Sequence, residues 1–551
     1  MSSSSLKFRI IVYARRGHCS LHRCLRPHLH SRHQLSVSSA RTASSDGHLT
    51  RDNFLPPTTT VRMHPALEIL EIQEHIFRHF YRHGYTTPDL VALACTCKTF
   101  QEPALDLVWH FDASLRRFLN LFPEDAFFRG GKGDWNRVAR PLRPLVPADF
   151  ERFSFYANRV QHFAWSEANV WHVNEIFEAM APCLPEGCLF PNLRSLSFMH
   201  AEVSRIRFFI SKKLVQIWNS YGKPCDGVAF IAPVAPTLEY LAINSSFHRS
   251  VDVDTQAVSG LLLQTNRLRI LHTRTLSWDA LVHLSNMRSL RELNVGDLTF
   301  DTQSMVHLGA FPCLDNLNFQ RAPTSHLFHF LRLLSTPLSS KYFHIGVQDD
   351  IAAGSVHIHE MLAQHLDHAA ICDIKLTIGS WVTAERLHAD WRITLTEEVL
   401  ETLIQAWPRL QILRLVTQKA SDDPEDQPKL PLTALRQFAR HCLHLHTLEL
   451  MFDTTNPPSA PEDDDAVQTT LTELRVSFSP IAESDKASVA RYFFHLFPNM
   501  ATLFYQMNIM VYILADPNDR RRRRIGQRSP EEAGWNGVAG HLQHLHKATG
   551  D

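Results

Sequence analysis

From residue 160 onward the chain repeats one short pattern. An apolar residue is followed by two variable ones, a second apolar residue, one variable residue and a third apolar residue. Val160/Phe163/Trp165 opens the series. It recurs as Leu193/Leu196/Phe198, Leu238/Leu241/Ile243, Leu268/Leu271, Leu290/Leu293/Val295 and Leu314/Leu317/Phe319. Later copies are Ile371/Ile374/Leu376, Leu410/Leu413/Leu415, Leu445/Leu448/Leu450, Leu471/Leu474/Val476 and a weaker Met500/Leu503/Tyr505. The alternation within each copy is what a short strand buried on one face requires. The tighter intervals run from 22 residues, Leu268 to Leu290, to 30, Leu238 to Leu268. Helical spacing precedes many copies. Thr396-Glu397-Glu398-Val399-Leu400 begins with a capping residue and an acidic first turn, the pattern stops at Pro408, and the strand motif starts at Leu410.

One helix-plus-strand unit cannot bury its own apolar strand face, whereas stacked neighbours can. The period therefore predicts a leucine-rich-repeat solenoid over residues 158–510, with parallel strands and a continuous core. Leu196, Leu241, Leu293, Leu317, Leu413, Leu448 and Leu474 are expected in that core. The Asn of the regular repeat is mostly absent, so the array is expected to be irregular. Asp422 to Pro431 and Asn456 to Asp465, rich in Pro and acidic residues, read as inserted loops. Residues 511–551 read as a polar, basic and poorly ordered tail with at most one short helix. Residues 111–157 read as a helical and loop linker, broken at Gly130, Gly131 and Gly133.

Residues 63–110 follow a different pattern. Ile69, Ile72, Ile76 and Phe77 fall on one helical stripe. After Gly84, Thr87 is suited to cap a helix whose first position is Pro88. That helix carries Leu90, Leu93, Ala94 and Cys97, and a third segment runs through Pro103, Leu105 and Leu107 to Trp109. About 45 residues make only a marginal core, which leaves apolar surface for a partner.

The order Glu71-Ile72, Ile76-Phe77, Pro88-Asp89-Leu90, Leu93-Ala94, Cys97-Lys98, Phe100 and Trp109 resembles the F-box, with Leu70 where that family usually has Pro. Cys95-Thr96-Cys97-Lys98-Thr99-Phe100, Pro103-Ala104-Leu105-Asp106, Asp134-Trp135 and Phe153 to Val160 resemble the F-box proteins of mushroom-forming fungi (basidiomycetes). The whole is thus expected to be an α/β chain: a short all-helical F-box module followed by an irregular repeat solenoid with a helix and a parallel strand per repeat. The resemblance implies a non-catalytic substrate receptor of a Skp–cullin–F-box ubiquitin ligase. It implies that Ile69, Ile72, Ile76, Phe77, Pro88, Leu90, Leu93, Ala94, Cys97, Phe100, Leu105 and Trp109 meet the Skp-type adaptor. The solenoid would hold an unknown target protein. A repeat scaffold with no ubiquitin role is the alternative, and an enzyme with an unrecognised site is a third.

Composition narrows the field further. Of 551 residues, Lys+Arg and Asp+Glu number 56 each, so net charge favours neither nucleic acid nor an acidic partner. No apolar run approaches the ~20 residues needed to span a bilayer. The 10 Cys are scattered, which fits a reducing compartment, cytoplasm or nucleus. No cofactor is expected. No P-loop, nucleophile elbow or H-E-x-x-H occurs. Cys95 and Cys97 read as buried small residues rather than zinc ligands, since C-x-C on a helix points the thiols apart. His75, His79 and His83 share a helical face that could hold a metal, though in a chain with 33 His such a spacing is weak evidence; His357/His359 and His444/His446 read as repeat-surface pairs. Arg520 to Arg524 could serve as a nuclear-import signal or as a solvated run.

Residues 1–62 stand apart. No acidic residue precedes Asp46, while Ser, Arg and His are abundant. Such composition predicts a disordered extension, with a mitochondrial transit peptide as the alternative. The functional part is expected to begin at or near Met63.

Overall fold

A strand that exposes one face and buries the other must stack its apolar residues on those of its neighbours, and that stacking organises this protein. The computed structural model describes residues 65, 69–82, 87–112, 114–129, 138–166, 173–184, 187–199, 203–221, 228–243, 255–300, 306–347, 362, 364–367, 369–378, 397–417, 428–458, 466–477, 479–505, 509–512 and 530–549. The chain divides after Val108 into two units. The first contains helices α1 (Leu70–Arg82) and α2 (Thr87–Ala94) and most of α3 (Lys98–His110).

Among the described residues, the second unit is built on a 15-stranded sheet. Its strands are β1 (Phe111–Asp112), β4 (His162–Ser166), β5 (Ser195–Met199), β6 (Gln216–Tyr221), β7 (Tyr240–Ile243), β8 (Ile270–Thr273), β9 (Glu292–Asp297) and β10 (Asn316–Ala322). The series continues with β11 (Tyr342–Val347), β12 (Asp373–Ile378), β13 (Ile412–Thr417), β14 (Thr447–Glu449), β15 (Glu473–Arg475), β16 (Thr502–Tyr505) and β17 (Ile509–Tyr512). Spatial order follows chain order, and every pair is parallel except β16 with β17. A separate hairpin joins β2 (Phe127–Arg129) and β3 (Val138–Pro141).

The second apolar position of each repeat forms an unbroken line in register: Phe163, Leu196, Ile217, Leu241, Leu271, Leu293, Leu317, Phe343, Ile374, Leu413, Leu448, Leu474 and Leu503. All are buried. Helices Thr255–Leu262, Trp278–Ser285, Thr324–Arg332, Glu397–Ala406, Leu435–His441 and Lys486–Leu496 bury Leu261, Leu281, Leu327, Leu400, Phe438 and Phe493.

Two strands escape the sequence pattern. The 45-residue gap from Leu193 to Leu238 contains β6, and the 57-residue gap from Leu314 to Ile371 contains β11. In each, a polar residue stands where an apolar one is expected: Asn219 at the third position of β6 and Ser340 at the first of β11. Thr273 does the same in β8. The Ser340 hydroxyl donates to the Asp315 carbonyl at 3.1 Å or the Tyr342 carbonyl at 2.9 Å, and the Thr273 hydroxyl to the Thr275 carbonyl at 3.0 Å. A buried hydroxyl with such a partner costs little. Gly346 in β11 is also required, because a Cβ there would collide with the Gln320 carbonyl of β10.

The missing Asn of the regular repeat has a substitute. Its stitching is done by a side chain just ahead of the first apolar position, which donates to the equivalent carbonyl one repeat earlier. Thr237 reaches Leu214 at 3.0 Å, Ser289 reaches Leu268 at 2.8 Å and Thr470 reaches Leu445 at 3.1 Å. A continuous backbone series runs alongside, from Gln161 N–H to His110 C=O at 3.1 Å through to Ala501 N–H to Thr472 C=O at 2.9 Å.

Both ends of the second unit differ from expectation. The segment expected as a linker at 111–157 begins with β1, which pairs in parallel with β4, so the sheet starts before residue 158. The rest of that segment is an aromatic cap. The Phe118 ring lies 5.1 Å from Trp109 and 4.8 Å from Phe190, and Phe122 lies 5.2 Å from Phe127 and 4.9 Å from Phe150. The polar tail expected at 511–551 contains a 20-residue helix, Pro530–Thr549. It buries Trp535, Val538, Ala539 and Leu542, and Trp535 stacks at 6.2 Å on Phe493 and 6.4 Å on Tyr505. The Trp535 indole N–H donates to the Ser479 carbonyl at 2.8 Å. The last repeat is thus covered by a helix in place of a further repeat, as solenoid ends need.

Two tests follow from this packing. Leu293→Ala or Leu317→Ala, each at the centre of the ladder, is expected to cost roughly 2–5 kcal/mol in denaturant unfolding; a cost below about 1 kcal/mol at both would contradict a single continuous core. In the aromatic cap, Asp149 accepts from Arg143 at 2.8 and 2.9 Å and from the Val146 N–H at 2.9 Å. Arg143, and then Val146, hold its pKa down at about 2, against 3.8 for an ordinary Asp. A folded-state value below the unfolded one adds stability above pH ~4 that disappears as pH falls toward 2. The thermal midpoint of Asp149→Asn should therefore converge on the wild-type value across that window, and parallel curves would exclude the clamp.

Candidate functional site

The N-terminal helices form a module with an incomplete core. In α1, Gln73 and Phe77 are buried one turn apart, and Phe77 meets Phe100 edge-to-face at 5.4 Å. The predicted stripe is therefore split: Phe77 points inward, Ile76 is half-buried, and Ile69 and Ile72 are exposed. Leu90 of α2 is buried, and Leu93, Ala94, Cys97, Phe100 and Leu105 are half-buried. Pro88 is the second residue of α2, and its side chain lies outside the described residues. Trp109 is buried in the second unit, where it lies 4.5 Å from Tyr156 and beneath the Arg117 guanidinium at 3.9 Å. Cys95 is exposed, contrary to the expectation of a buried thiol. Leu70 and Val91, which the stripe did not single out, are exposed at 54% and 42%, beside Ile69 at 48% and Ile72 at 37%. Val91 follows the buried Leu90, so its outward position could have been found from helical phase.

The second surface is the sheet face opposite the ladder. Two rows of side chains flank the ladder in register across the strands. One includes Tyr240, Ile270, Glu292, Asn316, Tyr342, Asp373, Ile412, Thr447 and Glu473; the other includes Trp218, His272, Asn294, Asn318, His344, Lys375, Arg414, Glu449, Arg475 and Phe504. Between β7 and β9, His272 Nε2 meets Glu292 Oε1 at 2.8 Å, and the Tyr240 ring lies 5.8 Å from His272. Burial, and then Glu292, push the Tyr240 phenol up to about 12. At the C-terminal ends of β8–β10, Asp297 accepts from Arg274 at 3.0 Å and from Arg321 at 2.8 Å.

On β11–β15 the face becomes a field of charge. Glu449 is 3.9 Å from both Arg414 and Arg475, its other oxygen lies 3.4 Å from the Ser477 hydroxyl, and Glu473 contacts Arg475 directly. Burial raises the Glu449 pKa against the opposing pull of Arg475, Arg414 and Lys375. Ser477 holds φ at 45°, a left-handed conformation uncommon for a residue with a Cβ. None of this charge was visible in the repeat pattern, because the variable positions that carry it are defined only once the strands are in register.

Residues 1–62, Met63, Gly130 to Gly133, Asp134-Trp135, His83, His357/His359 and Arg520 to Arg524 lie outside the described residues, as do the side chain of His79 and parts of both acidic loops. His75, His444 and His446 are exposed. Among the described residues, no group of three or more His, Cys, Asp or Glu is disposed to hold a metal ion, and no helix is long and apolar enough to cross a membrane.

No protein-family model and no curated protein matches the chain. Among solved structures it is similar to the crystal structure of the leucine-rich repeat-containing protein LegL7 from Legionella pneumophila, at 11% identity over 66% of this chain and 94% of that one, with a TM-score of 0.27.

Removing the carboxylate shared by Arg274 and Arg321 would leave two partly buried guanidinium groups facing each other, since the three side chains are only 14–18% exposed. Asp297→Ala is expected to cost roughly 3 kcal/mol in equilibrium unfolding. A loss of a few tenths would mean that solvent screens the cluster.

Proposed function

We propose that this protein is a substrate receptor of a Skp–cullin–F-box ubiquitin ligase, of the kind found in mushroom-forming fungi. The helical module at 63–110 docks on the Skp-type adaptor, and the sheet face holds a target protein. Four apolar side chains left exposed on the first two helices and just ahead of them carry this assignment: Ile69, Leu70, Ile72 and Val91. They lie within the sequence order that resembles the F-box, in a module too small to cover them. Exposed apolar side chains of this kind suit a protein partner.

The mechanism is tethering. The adaptor connects the module to the cullin scaffold, the sheet face binds the target, and a target lysine is kept near the charged ubiquitin carrier at high effective concentration. No side chain of this chain makes or breaks a bond. The protein acts in the cytoplasm or nucleus, where cullin ligases operate.

Ile72→Asp and Val91→Asp test the adaptor contact without opening a core, since both side chains are already exposed. Each is expected to weaken adaptor binding by about 2–4 kcal/mol, at least tenfold in calorimetry, because it places an unpaired charge in an apolar interface. Absence of any association between wild-type chain and adaptor would sink the ligase assignment and leave a repeat scaffold. Wild-type affinity in both variants would move the contact elsewhere.

A further inference from the structure

We propose that strands β12 and β13 hold a carboxylate-bearing segment of the target protein between Lys375 and Arg414. The proposal deepens the function above and rests on its claim that the sheet face carries the target.

Lys375 and Arg414 are direct register partners on adjacent parallel strands. Like charges placed opposite each other across a sheet repel, and partial burial strengthens the repulsion. Both side chains are half-buried. Such a pair calls for an anion between its members, and among the described residues no carboxylate sits between them. Asp373 Oδ1 approaches His344 Nε2 at 3.3 Å, without a hydrogen bond, and does not come within 4 Å of Lys375. Glu473 is in direct contact with Arg475, and Glu449 stands 3.9 Å from Arg414 and from Arg475 alike. Among the described residues, Lys375 has neither a hydrogen bond nor a carboxylate within 4 Å. Arg414 has only carboxylates at 3.9 Å, and its buried Nε makes no hydrogen bond. Burial, and then Arg414, lower the Lys375 pKa, so the ammonium is held where its charge is least comfortable.

Charge count selects the anion. Lys375, Arg414 and Arg475 balance Asp373, Glu449 and Glu473. A monoanion between Lys375 and Arg414 relieves the repulsion with one surplus negative charge, whereas a phosphate dianion would add two beside Glu449. Ile412, half-buried next to the pair, offers apolar contact to the stem of a Glu or Asp side chain. A protein segment therefore fits better than a free small anion.

The experiment uses the full chain and fluorescein-labelled hexaglutamate, read by anisotropy at low salt. Hexaglutamine and a glycine hexapeptide with one phosphoserine serve as comparison probes. Wild-type protein is expected to bind hexaglutamate and not hexaglutamine. Lys375→Gln and Arg414→Gln should each weaken binding about tenfold or more. Lys375→Arg should bind within about threefold of wild type, because it keeps the charge. Lys341→Gln, at the strand edge, should leave the affinity unchanged. Protection of Lys375 from reductive methylation by hexaglutamate, read by mass spectrometry on wild-type protein, gives the same answer without a variant. Equal binding by folded wild type and Lys375→Gln, an equal loss in Lys341→Gln, or tighter capture of the phosphopeptide would overturn the proposal. Adaptor binding measured on the same variants separates the two claims. If the adaptor binds and hexaglutamate does not, only this proposal falls. If hexaglutamate behaves as expected and the adaptor does not bind, only the ligase assignment falls.

Discussion

Strand register is the constraint on which the second unit depends. The ladder from Phe163 to Leu503 works only if each strand presents its second apolar residue at the same level as its neighbours. A slip of one residue would turn Lys375, Arg414 and Glu449 into the core and expose the leucines. The register is held from two sides. Apolar burial excludes the slipped state, and hydrogen bonds at the strand edge tie each repeat to the one before it. Since each repeat contacts only its neighbours, the ends need separate solutions. At one end the aromatic group around Phe118 and Phe122 supplies it, at the other the helix carrying Trp535.

Much of the solenoid was legible because its signal is periodic and its core positions are chemically narrow. Leu196, Leu241, Leu293, Leu317, Leu413, Leu448 and Leu474 are all buried as the pattern predicts. The failures share a physical cause: β6 and β11 were hidden because a buried polar residue is tolerated wherever a carbonyl lies within reach, as Ser340 shows. The terminal helix was expected to be short at most because Gly534, Gly537 and Gly540 dilute its apolar spacing, although Trp535, Val538 and Leu542 do follow helical phase. On the sheet face, Lys375 and Arg414 are 39 residues apart in sequence and meet only through register. On the helical module, Ile72, Ile76 and Phe77 of the stripe lie on a helix that begins one residue after Ile69, and the stripe spans two environments, an inner one at Phe77 and an outer one at Ile69 and Ile72.

The two surfaces differ in the physics they offer. The first two helices present aliphatic side chains, suited to a constant partner whose complementary surface can be desolvated as a whole. The sheet face presents half-buried charges and hydrogen-bonding groups, which reward a matched partner and penalise a mismatched one. The proposed receptor role, connecting one fixed component to one selected component, would use both kinds. The proposed assignment of an adaptor to the helices and a target to the sheet rests on that contrast.

Hydrogen exchange on the full chain with and without the Skp-type adaptor tests this division most directly, because it reads both surfaces in one experiment. The account predicts that the adaptor slows exchange of amides between Ile69 and Leu93 while strands β4 to β16 keep their rates. Unchanged exchange in α1 and α2, or protection confined to the strands, would contradict it.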